Sequence, residues 1–106
     1  MKSAVRKVTG NRIELDGPIV SSIDFSVTPR GTAVLRMIVD CGAPEEDLKL
    51  AVVLAGERAS VLRTILAPGH KVKVRGRLRS VKAGVKALRV GGTFEVLAES
   101  IEPLEH

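Results

Sequence analysis

The chain has no tryptophan and no tyrosine, and Phe25 and Phe94 are its only aromatic residues. A stacking surface built from several rings is therefore beyond its means. Cys41 is the single cysteine, which excludes an intrachain disulfide and a cysteine-based metal site and makes the cytosol the expected compartment. With only His70 and His106 as histidines, no metal centre and no cofactor are expected. No apolar run approaches the roughly 20 residues of a membrane span, and the opening MKSAVRKVTG lacks the apolar core of a signal peptide. No Ser, Cys or His stands in an activated constellation, and Glu45, Glu46 and Asp47 fall in one polar loop. The chain is therefore not expected to be an enzyme.

One further absence is local. Residues 71–89 contain eight Lys or Arg and no Asp or Glu, whereas the rest of the 106-residue chain holds nine bases against twelve acids. The whole net charge of +5 thus comes from nineteen residues. In HKVKVRGRLR, residues 70–79, the bases recur at every second position. A strand would turn Lys71, Lys73, Arg75, Arg77 and Arg79 to one face and Val72, Val74, Gly76 and Leu78 to the other. A solvated face normally mixes charges of both signs, so the row implies a polyanionic partner. Lysines that merely protect an exposed sheet edge are the plainer explanation, but one or two residues suffice for that purpose.

The length suits one small domain. Residues 12–27 alternate as a long half-buried strand that Gly17 lets bend, and Thr28-Pro29-Arg30-Gly31 reads as a turn. A second strand over 32–41 turns Ala33, Leu35, Met37, Val39 and Cys41 inward, and a third over 48–54 turns Leu48, Leu50, Val52 and Leu54 inward. Val61, Leu62, Ile65 and Leu66 have helical spacing, which predicts a helix of about three turns ended by Pro68-Gly69. The basic strand follows, then a loop over 81–92 with three glycines, then a last strand over 93–101. Phe94, Val96 and Ala98 alternate in that strand while Leu97 and Ile101 do not, which a bulge would reconcile. The order of three strands, a helix and two strands is that of the OB-fold, so the expected class is all-β with one short helix in a five-stranded OB-fold barrel. The expected domain is 1–103, with 1–10 as an N-terminal extension and Leu104-Glu105-His106 as a tag remnant.

NRIELDG, TPRG, PGHKVKVRGRLR and VLAESIEP together resemble the bacterial single-stranded DNA-binding protein family, and within it the short primosomal replication protein N branch. The likeness runs over residues 11–103. It implies an OB-fold that binds single-stranded DNA with little sequence preference, assembles as a dimer or tetramer, and serves DNA replication or replication restart alongside other replication proteins. It also implies that Lys82, Lys86 and Arg89 grip the DNA backbone, because they stand where the family's loop between the fourth and fifth strands carries bases.

The departure from the family lies in the missing rings. Phe25 and Phe94 fall on inward positions and are expected to fill the core. The outward positions of the second and third strands, Arg36, Ile38, Asp40, Lys49, Ala51 and Val53, offer no ring either. Binding is then expected to rest on charge, with guanidinium planes as the stacking surface. The expected site comprises Arg36, Lys49, Lys71, Lys73, Arg75, Arg77, Arg79, Lys82, Lys86 and Arg89, with the acidic loop off its path. Charge does not separate DNA from RNA. The outward aliphatics Val20, Val34, Ile38 and Val53 suggest a homo-oligomer, most simply a dimer. The rival reading is an OB-fold protein-interaction module without nucleic-acid binding.

Overall fold

In a computed structural model describing residues 4–42, 45–80 and 94–104, the alternating segments form β2 (Arg12–Pro18), β3 (Asp24–Val27), β4 (Ala33–Asp40), β5 (Lys49–Ala55), β6 (Lys71–Ser80) and β7 (Phe94–Pro103), with a further strand β1 (Ala4–Thr9) before them. The one helix among these residues, α1 (Glu57–Leu62), lies between β5 and β6. The strands form one sheet in the order β1-β2-β6-β7-β5-β4-β3. Neighbours are antiparallel except β5 and β7, which run parallel.

The ends of the run β2-β6-β7-β5-β4 meet where the chain leaves β2. Ile19 bridges Val39, the Val20 N–H donates to the Ile38 carbonyl at 2.9 Å, and the Ile38 N–H donates to Ser21 Oγ at 2.8 Å. A single bridge, rather than a continuous ladder, thus joins the two edges of a five-stranded OB-fold. Leu15, Ile19, Leu35, Val39, Val52, Val72, Val74, Val96 and Ile101 are buried inside, and Ala59, Leu62 and Leu66 pack onto them from the helical segment.

The inward residues of the expected second and basic strands are buried or half-buried, as period-2 alternation requires. The turn also forms as expected, with the Gly31 N–H donating to the Thr28 carbonyl at 2.8 Å and Gly31 at φ +90°. Other expectations are corrected. The long strand over 12–27 is divided into β2 and β3, because after Pro18 the chain pairs with β4 through Ile19. Leu48 precedes β5 and is exposed. The helix has six residues rather than three turns, and it turns Val61 outward while Ala59 and Leu62 face the core; Ile65, past its end, is exposed as well.

The bulge expected in the last strand is present. Arg75 pairs with Ser100 and Gly76 with Ala98, so Glu99 is the extra residue of β7. The extra residue shifts the alternation by one place, which lets both Ala98 and Ile101 point inward.

Candidate nucleic-acid interface

Strand alternation places Lys71, Lys73, Arg75, Arg77 and Arg79 on the outer side of β6. The neighbouring strands supply acids that the local sequence does not. On β2, Glu14 lies opposite Arg75 and Asp16 opposite Lys73; on β7, Glu95 lies opposite Arg79 and Glu102 opposite Lys73. Arg75 Nε donates to Glu14 Oε2 at 2.8 Å, and Lys73 Nζ lies 3.8 Å from the same oxygen. That hydrogen bond, with the carboxylate's charge, raises the Arg75 pKa above its ordinary value. Among the described residues, Lys71 and Arg77 have no carboxylate partner. The row is therefore split into paired and unpaired cations.

Glu95 organises the other end of the row. Its side chain is only 5% exposed, yet it faces two guanidiniums: Arg79 Nε donates to Oε2 at 2.9 Å, and Arg36 Nη1 lies 3.6 Å from Oε1. Arg79 Nη2 also donates to Oε2. Arg36 comes from β4 and Arg79 from β6, so Glu95 joins predicted site residues from two strands that are not neighbours. Sequence reasoning missed Glu95. Its only signal was an outward parity at the start of β7, and its partners become visible only with the pairing register.

Lys49 is held locally. It donates a hydrogen bond to Asp47, which raises its pKa, and it lies opposite Asp40. The acidic loop expected to lie off the path thus reaches one of the predicted site residues. Lys82, Lys86 and Arg89 lie outside the described residues.

Residues 10–104 match the model of the single-strand binding protein family. The chain belongs to that family. Among solved structures it is similar to a deletion mutant of the single-stranded DNA binding protein from Thermus aquaticus, at 29% identity and a TM-score of 0.73 over 91% of this chain. The chain spans 42% of that protein's length. No curated protein matches the chain significantly.

Against this single-strand binding fold, two expectations about apolar residues need correction. Phe94 is 51% exposed rather than core. It is the first residue of β7 and pairs with Ser80, the last of β6, so its inward parity points past the end of the packed layers. Phe25 is half-buried against the core edge, with the Arg63 guanidinium 4.1 Å from its ring centroid in a cation–π contact. Val53 is buried rather than part of an outer apolar patch. Arg36 of β4 and Leu97 of β7 are its partners on either side.

Proposed function

We propose that the protein binds single-stranded DNA with little sequence preference, through the outer side of β6 continued over β7 and β5 to Arg36, and through the loop expected over 81–92. The observation that carries this reading is the outer row of β6 on a single-strand binding fold, with Lys71 and Arg77 free of carboxylates among the described residues. Lys82, Lys86 and Arg89 add three cations from the loop. Phe94 supplies an exposed ring at the root of that loop. By its likeness to the primosomal branch, the binding serves DNA replication or replication restart in the cytoplasm, with other replication proteins as partners and a homodimer as the simplest assembly.

Titration with single-stranded DNA, duplex DNA and RNA at two salt concentrations tests the reading. Neutralising five phosphates, one each for Lys71, Arg77 and the three loop bases, gives a slope of log K against log salt near about −3.5. Duplex binding as tight as single-strand binding, or a flat salt response, would overturn it. No binding to any nucleic acid would favour the protein-interaction module instead. Light scattering that finds a clean monomer at high concentration would exclude the dimer.

A further inference from the structure

A carboxylate in the middle of a phosphate-binding face calls for an explanation, because it competes with the ligand and its burial costs desolvation. We propose that Glu95 is a positioning residue, whose buried carboxylate fixes the Arg36 and Arg79 guanidiniums as one stacking platform for the bases of single-stranded nucleic acid. The inference rests on the DNA-binding reading above and names what takes over part of the work of the missing rings.

The geometry is built across three strands. Glu95 is the Cα partner of Arg79 on β6 and of Ala51 on β5. Arg36 extends from β4, where it pairs with Val53. With Ala51 and the buried Val53 between them, no bulky or charged side chain of β5 separates the arginine from the carboxylate. Each carboxylate oxygen takes one arginine: Oε2 accepts from Nε and Nη2 of Arg79, and Oε1 faces Arg36. The carboxylate is covered, whereas Arg36 and Arg79 remain 50% and 46% exposed.

An unpaired surface arginine samples many rotamers, and ordering it for stacking costs entropy at the moment of binding. Arg79, hydrogen-bonded through Nε and Nη2 to one oxygen of the buried carboxylate, has met that cost in folding, and Arg36 is held beside the other oxygen by charge at 3.6 Å. Each planar group can still stack on a base, because stacking uses the face of the guanidinium and the ion pair uses its edge. The cluster gives up one unit of positive charge in exchange, so it adds less to the phosphate contribution than two free arginines would.

The test compares a dT oligonucleotide with an abasic one of equal length and charge, bound to the wild type, to Glu95→Gln and to an Arg36→Lys/Arg79→Lys double variant. Thermal melting verifies that each is folded. The wild type should prefer dT, and both variants should lose roughly threefold to tenfold of that preference. Glu95→Gln should nevertheless show a steeper salt dependence, since its freed arginines become available to phosphate. A lysine keeps the charge but has no plane, so the double variant reports on stacking even if Glu95→Gln fails to fold. A dT-to-abasic ratio unchanged in the folded variants would overturn the inference and leave DNA binding standing. Failure of the wild type to bind either oligonucleotide would overturn both.

Discussion

Gly76 and Leu97 approach so closely across β6 and β7 that a Cβ added to Gly76 would lie 2.2 Å from the Leu97 carbonyl oxygen and 2.8 Å from Ala98 Cα. Both neighbours are backbone, so neither can swing aside as a flexible side chain would. The contact sits at the bulge where Gly76 pairs with Ala98 and Arg75 with Ser100. The glycine therefore lets the bulge close, and the bulge keeps Ile101 in the core.

Gly76→Ala should destabilise the fold by about 3 kcal/mol, the upper part of the usual range for overpacking. Thermal or denaturant unfolding checks this. A melting temperature equal to the wild type's would mean that the two strands separate without cost, and that the bulge does not depend on glycine.

The Cys41 side chain lies in the core with only 1% of the residue exposed, and its thiol donates weakly to the Leu48 carbonyl at 3.7 Å. Burial, reinforced by the nearby Asp40 charge, pushes the thiol from 9.0 up to about 11. It should label with a thiol reagent near pH 8 only as fast as the protein opens. The folded state keeps its proton above the pH at which the unfolded state releases it. This contribution to stability is therefore fully present below about pH 9 and is lost as pH rises toward about 11, by at most about 1.4 kcal/mol per pH unit. Cys41→Ala should show a flatter alkaline stability profile; an identical profile would remove the thiol from the linkage.

What was legible in the sequence followed the period of a strand. The outer and inner sets of residues 71–79 could be read because β6 alternates from Lys71 to Arg79. β1 could not be read that way, because it has only six residues and its pairing register shifts between Val5 and Lys7. The ion pairs of Glu14 and Glu95 were invisible for another reason. Each joins residues that are distant in sequence, and only the strand register brings them opposite. Phe94 misled because parity identifies a face of the sheet but not where the packed layers end.

The two phenylalanines should separate stability from binding. Phe25→Ala removes a half-buried ring and its contact with Arg63, so unfolding should become easier by about 1–2 kcal/mol. Phe94→Ala should change stability less, yet weaken single-strand binding by about 1–3 kcal/mol if a base stacks on the exposed ring. Urea unfolding and oligonucleotide titration of both variants check the pair. Unchanged binding by Phe94→Ala would leave the stacking to the guanidiniums.

Replacing Lys82, Lys86 and Arg89 together by Ala should weaken single-strand binding and reduce the salt slope by about 0.7 for each lost phosphate contact. Titration over a salt series measures both. If affinity and slope stay the same in a folded triple variant, the loop does not touch the phosphates.

Arg75 and Arg77 stand two places apart on the same side of β6, but their surroundings differ. Arg75 is hydrogen-bonded to Glu14, whereas Arg77 lies opposite Leu97 on β7 and has no carboxylate partner among the described residues. A phosphate approaching Arg75 must compete with Glu14, while one approaching Arg77 displaces only water and counterions. Arg77→Ala should therefore lower the salt slope by about 0.7, as one full phosphate contact does, and Arg75→Ala by less. Glu14→Gln should narrow the difference by releasing Arg75 to the ligand, and its affinity should rise. Measuring the three variants at two salt concentrations decides the matter. Equal losses for Arg75→Ala and Arg77→Ala, with no gain from Glu14→Gln, would show that the carboxylates do not sort the row and that all five strand cations act as one undivided charge.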